Sequence, residues 1–168
     1  METDYESVAV APDVLARLRE RDDAGRVPRP FTDAEGGAPL RCCLRHSRAG
    51  ERLVLVSYAP LRGWAARTGA EPGPYDEVGP VFVHAEPCDG QVSGPGYPAA
   101  LHGARRVLRA YDAGGRILGG TLVELPRERA GEVDGLLAEV FADPAVALVH
   151  VRAVEFGCFM VEIRRRSA

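Results

Sequence analysis

Residues 145–165 read Ala145-Val-Ala-Leu-Val-His150-Val-Arg-Ala-Val-Glu155-Phe-Gly-Cys-Phe-Met160-Val-Glu-Ile-Arg-Arg165, two runs rich in branched residues separated by Glu155-Phe156-Gly157. A three-residue connection ending in glycine joins antiparallel strands, so this stretch is a hairpin. The count then fixes the pairing: Val154 faces Cys158, Arg152 faces Met160, Val151 faces Val161 and His150 faces Glu162. In that register Val149, Val151 and Ala153 share a face with Phe159, Val161 and Ile163, which is wholly apolar, as a core face must be. The other face carries His150, Arg152, Cys158 and Glu162. A carboxylate beside a histidine there favours the charged imidazolium.

Working outward, the segment before the hairpin supplies what covers it. Val133, Leu136, Leu137, Val140 and Phe141 recur at helical spacing in one continuous stripe, and Asp143-Pro144 ends the helix. Residues 105–111 and 116–125 form a second hairpin around Asp112-Ala113-Gly114-Gly115. Residues 52–58, Arg-Leu-Val-Leu-Val-Ser-Tyr, read as a well-buried strand, and residues 79–86 as another. Pro12 opens a short helix with Val14, Leu15 and Leu18 on one side, while residues 22–39 read as a loop. The fold class that follows is α+β: a predominantly antiparallel sheet of about five or six strands with one or two packed helices. Residues 1–38 form an N-terminal arm and short helix of the same domain, and residues 39–168 the main α+β domain.

Composition excludes several functions. The 21 basic residues are all arginine, so chemistry that needs a lysine amine is absent: no Schiff base, no pyridoxal phosphate anchor and no P-loop lysine. There is no asparagine, hence no glycosylation sequon. A net charge of -3 gives no positive field for nucleic acid or an anionic membrane, so neither is an expected partner. The acidic start and the lack of a long apolar run are read as a cytoplasmic protein, with Cys42, Cys43, Cys88 and Cys158 as reduced thiols. Arginine, alanine, glycine and proline enrichment resembles a GC-rich bacterial source.

The candidate chemistry gathers on polar strand faces between long Gly/Pro-rich connections. Period-two alternation puts Phe82, His84 and Glu86 on one side of their strand, with His84 and Glu86 about 7 Å apart, close enough to serve one ligand. His84, His150 and Glu162 are the candidate acid/base groups. Glu86, Arg152, Tyr58, Tyr75 and Cys158 are candidate ligand contacts, Arg152 acting as an anion clamp. A nucleophilic Cys88 or Cys158 beside His84 or His150 is a further option. No cofactor is expected from these groups, and the one metal alternative is zinc on Cys43-x-x-His46 and His84-x-x-x-Cys88. Neither half has the spacing of a tight zinc knuckle. Ser93, in Gly90-Gln91-Val92-Ser93-Gly94, lacks the context of a nucleophile elbow.

Pro39-Leu40-Arg41-Cys42-Cys43-Leu44, Gly79-Pro80-Val81-Phe82-Val83, Ala142-Asp143-Pro144 and Gly157-Cys158-Phe159 together resemble an uncharacterised bacterial group, the domain of unknown function 1203 family. The resemblance runs from about Pro39 to Arg165 and implies one small domain without implying an activity. Leu40 stands where that family often has cysteine, and Ala153 where it often has asparagine. The functional expectation is binding of a small anionic ligand, with or without catalysis, at a face shared by His84, His150 and Arg152. The alternative is a non-enzymatic interaction or homo-oligomerisation module, built on the long loops.

Overall fold

The computed structural model describes residues 3–88 and 94–166. Ser93 lies outside them. The chain is α+β and its strands are mostly antiparallel, in two sheets. The six-stranded sheet contains β1 (Tyr5–Val8), β7 (Gly94–Pro95), β8 (Arg105–Tyr111), β9 (Ile117–Glu124), β10 (Leu148–Ala153) and β11 (Phe159–Arg165). Its order is β7-β1-β11-β10-β8-β9. The five-stranded sheet contains β2 (Phe31–Asp33), β3 (Pro39–Leu40), β4 (Arg45–His46), β5 (Glu51–Tyr58) and β6 (Gly79–His84), in the order β2-β5-β6-β3-β4. Among the described residues only the β3·β6 pairing is parallel. The helices are α1 (Pro12–Glu20), α2 (Pro60–Thr68) and α3 (Val133–Phe141).

The hairpin that decides the fold is β10·β11, and Val151 does face Val161, with His150 opposite Glu162. The expected register fails one step later. Arg152 pairs with Phe159 rather than Met160, because a bulge falls between Val151 and Arg152. A bulge turns the side chains beyond it to opposite faces. Met160 therefore joins the core under α3, while Phe159 moves to the side of His150 and joins the core of the other sheet. Phe159 stands edge-on to both His150, at 5.0 Å between ring centres, and Tyr58, at 5.6 Å. The bulge at Met160 thus frees Phe159 to make apolar contact with the five-stranded sheet.

Three clusters of buried residues result. Val133, Leu137 and Phe141 of α3 pack on Leu108, Val149, Val151, Val161 and Ile163. Leu15 and Leu18 of α1 pack on Leu53, Val54, Val56, Val81 and Val83. Leu61 of α2 meets Tyr111 and Leu148 on the far face of the six-stranded sheet. That face is therefore covered, and a strand with two covered faces cannot hold solvated polar groups. His150 is fully buried.

A buried arginine ties the β3–β4 turn to β11. Arg41 donates through Nε to the Phe159 carbonyl at 2.8 Å and through Nη1 to the Pro39 carbonyl. Its Nη2 lies 3.4 Å from Cys158 Sγ and 3.5 Å from Met160 Sδ. Carbonyl oxygens and sulfurs, rather than a carboxylate, receive this charge, and burial lowers the pKa of the guanidinium. The turn that carries Cys42 and Cys43 is thereby anchored from behind.

Candidate metal centre

Residues 41–44 make a tight turn between β3 and β4, closed by the Leu44 N–H donating to the Leu40 carbonyl at 3.0 Å, with Leu44 itself at φ 55°. This curvature brings two consecutive side chains to one side, which an extended strand would not allow. Cys42 Sγ and Cys43 Sγ lie 3.9 Å apart. Opposite them, the last residue of β6 offers His84 Nδ1 at 3.4 Å from Cys42 Sγ and 3.8 Å from Cys43 Sγ. Cys88 completes the group, and the four ligand atoms all lie within 4.8 Å of one another.

These separations fit one metal ion. With Zn–S near 2.3 Å and Zn–N near 2.0–2.1 Å, a tetrahedron has S···S edges of about 3.8 Å and N···S edges of about 3.5 Å. The three distances among Cys42, Cys43 and His84 fall close to those edges, and Cys88 stands within 4.8 Å of each. Cys42, Cys43 and His84 are buried and Cys88 is half-buried, so the group is enclosed with one ligand near solvent.

The surroundings prepare these atoms for coordination. Glu51 Oε1 lies 3.2 Å from His84 Nε2. Arg45 Nη2 also approaches that nitrogen, at 3.4 Å, but donates to Glu51 Oε1 at 2.7 Å while Nη1 donates to Oε2 at 3.0 Å. Both terminal nitrogens of Arg45 are so engaged with the carboxylate. Glu51 Oε1 is placed to accept from His84 Nε2–H, the tautomer in which Nδ1 turns a lone pair toward the two sulfurs. A carboxylate behind a ligating histidine is the usual outer support of a metal site. Glu51 is held far below the usual carboxylate range, first by Arg45 and next by the Arg48 backbone N–H. The His84 backbone N–H also donates to Cys42 Sγ at 3.3 Å. Within the cysteine pair, their mutual hydrogen bond pushes the Cys42 thiol up and holds the Cys43 thiol below its ordinary value, so Cys43 ionises first. Helix α1 steadies the approach, because Arg19 Nε donates to the His84 carbonyl at 2.9 Å.

Glu51→Gln keeps the side chain's shape and removes the charge behind His84. The expected result is metal affinity weaker by about 10- to 100-fold with the ligand set unchanged, read by competition with a chromophoric chelator. Equal affinity would show that Glu51 does not support the site.

Of the zinc alternative read from the sequence, Cys43, His84 and Cys88 converge and His46 does not. Alternation explains the exception: Arg45 and His46 are neighbours on β4, so Arg45 faces His84 and His46 faces away. Burial first, then the charges of Arg127 and Arg106, lower the His46 pKa. Cys42 takes its place, and the sequence held its signal in the Cys-Cys pair beside a turn. Glu51 had no such signal.

Of the other candidate residues, Glu86 borders the same depression as His84 and Cys88, and the rest lie apart from this centre. Glu86 is exposed and 3.4 Å from Arg52. His150 Nε2 is 3.5 Å from Glu162 Oε2 inside the six-stranded sheet, packed against Tyr111 and Phe159. Burial outweighs the carboxylate there and lowers the His150 pKa, the reverse of the expected shift. Arg152 reaches Glu77 at 3.3 Å and the Gly157 carbonyl at 3.0 Å. Tyr58 is packed on Phe159, and burial raises its hydroxyl pKa. Tyr75 is exposed on the 3-10 turn Gly73–Tyr75, and Cys158 lies against Arg41. Glu162, Tyr58 and Phe159 line a small cleft with Arg67 and Arg164, whereas His84 and Cys88 line a separate depression with Arg45, Arg48 and Arg52. His150, fully buried, lines neither of them.

Comparison with known proteins gives one match. The family model described as "Protein of unknown function (DUF1203)" covers residues 37–165. The chain belongs to the DUF1203 family. No curated protein and no solved structure matches it. The matched span of this DUF1203 chain contains all four residues of the cluster, along with Arg45 and Glu51. No helix among the described residues is long and apolar enough to cross a membrane.

Proposed function

We propose that this DUF1203 chain is a metal-binding domain that holds one thiophilic divalent ion, zinc before others, on Cys42, Cys43, His84 and Cys88. The observation that carries the proposal is the convergence of three sulfurs and one imidazole nitrogen within 4.8 Å, with Cys42, Cys43 and His84 at the edge lengths of a tetrahedron and Glu51 behind the imidazole. Soft thiolates with imidazole select zinc over magnesium or calcium. Four protein ligands leave no position for substrate, so the ion's role in this reading is structural rather than catalytic. It would cross-link the 41–44 turn to the end of β6 and to Cys88.

Elemental analysis of untagged protein tests this directly. One zinc per chain is expected, with cobalt replacement giving the intense visible bands of a tetrahedral thiolate site. Substitution of Cys42, Cys43, Cys88 or His84 should each reduce the stoichiometry. Protein that neither carries nor takes up an equivalent of zinc or cobalt would remove the proposal.

The anionic-ligand reading retains support from Arg45, Arg48 and Arg52, which surround the open side beside Cys88. It ranks second because Glu51 and Glu86 are already paired with Arg45 and Arg52. An anion must displace those contacts or rely on Arg48.

A further inference from the structure

Sheet edges expose unpaired N–H and C=O groups, and proteins protect them by keeping edge strands short or charged, or by placing proline there. Three of the four edges here follow that rule. β7 is two residues, one of them Pro95; β2 has three residues and β4 has two. β9 does not follow it. It is eight residues long and ends the six-stranded sheet, and residues 117–123, Ile-Leu-Gly-Gly-Thr-Leu-Val, contain neither charge nor proline. Ile117, Leu118 and Leu122 are 37%, 46% and 53% exposed.

The residues that bracket this run identify the occupant. Arg116 precedes it and Glu124 closes it, so the strand is positive at one end and negative at the other. An antiparallel copy of the same strand reverses both ends. We infer that β9 pairs with β9 of a second copy of this chain about a twofold axis at Gly120, setting Leu118, the extra residue where the pairing with β8 shifts, opposite Leu122 and bringing Arg116, just before the strand, to Glu124. Such an isologous contact satisfies the edge with the surface already present. Each interface counts the Leu and Arg–Glu pairs twice, and one sheet runs through both copies. Glu124 is also 3.3 Å from Arg105 across β8, and that exposed pair is a weak competitor.

Light scattering and sedimentation of the metal-loaded full chain over a range of concentrations test the inference. The expected species has twice the 18.0 kDa chain mass. Leu122→Arg should weaken the dimer at least tenfold while leaving circular dichroism and metal content unchanged, since Leu122 is exposed in the single chain. Arg116→Glu should weaken it also, and Arg116→Glu with Glu124→Arg should restore it. A protein that is monomeric at every soluble concentration overturns the inference. So does a dimer indifferent to Leu122→Arg, which would place the contact elsewhere, and failure of the double reversal to restore association overturns the register. These readings do not depend on the metal centre, because metal content is measured separately on each sample.

Discussion

On the proposed metal-binding reading, a strong chelator should lower the melting temperature of the wild-type chain by on the order of 10 °C without unfolding the six-stranded sheet. The size follows from linkage. An ion held at about a thousandfold over its dissociation constant contributes about 4 kcal/mol to the folded state. In a domain of this length each 1 kcal/mol moves the midpoint by about 2–4 °C. The location follows from the structure. Cys42 and Cys43 sit on a turn whose flanking strands β3 and β4 have two residues each, so few backbone hydrogen bonds hold it. Hydrogen exchange should therefore rise most in residues 40–46 and 82–88 and least in β8 and β10, which pack on α3 in a core that Leu44 of the turn enters from one side. The Cys42→Ser/Cys43→Ser variant should match the stripped protein and gain nothing from added zinc. Equal melting temperatures and equal exchange with and without chelator would leave the cluster as four buried groups with no ion to join them.

The parts of this fold written in local pattern were legible before any coordinates. The stripe from Val133 to Phe141 gave α3, and the alternation on either side of Glu155-Phe156-Gly157 gave the pairing of Val151 with Val161. The bulge after Val151 was hidden, because it depends on what Phe159 can reach. An unshifted strand would hold Phe159 in the α3 core, whereas the bulge lets it fill the space between Tyr58 and His150. The division into two sheets was hidden for a similar reason. Strands of two or three residues, such as β2 and β4, carry no measurable period and exist through their partners. The candidate site was legible in half. His84 and Cys88 share a segment, and Cys43 lies at ligand spacing from His46, but only the turn at Leu44 determines that Cys42 points to His84 while His46 points away. Glu51 pairs with Asp33 on one side and on the other reaches His84 on the adjacent strand β6, two residues from Leu53, the partner of His84, so its role depends on a pairing of strands far apart in sequence.

The second large effect concerns acid, and the residue behind it is His150. Burial is the chief cause of its lowered pKa; Glu162 acts in the opposite direction, while Arg152 and Arg109 add to the lowering. The folded chain therefore keeps this imidazole neutral below pH 6.5, where the unfolded chain takes up a proton. The unfolded state binding more protons means that stability falls as pH falls, beginning near 6.5 and continuing to the folded pKa. Between about pH 6.5 and pH 5 the loss is at most about 2 kcal/mol for a single histidine. His46, whose pKa is also lowered, adds a smaller loss of the same sign, and Glu162, lowered as well, contributes only at more acidic pH. His150→Phe isolates the first contribution. A phenyl ring fits the stack against Tyr111 and Phe159, and Glu162 keeps Arg67 at 3.6 Å and Arg164 at 3.5 Å. Urea unfolding of chelator-treated protein, in which acid release of a bound ion plays no part, should show a shallower decline for the variant than for the wild type between about pH 7 and pH 5. Parallel declines would assign the acid sensitivity to His46 and the carboxylates. A steeper decline in the variant would mean that Glu162 needs the imidazole to stay ionised, and that the pair titrates as a unit.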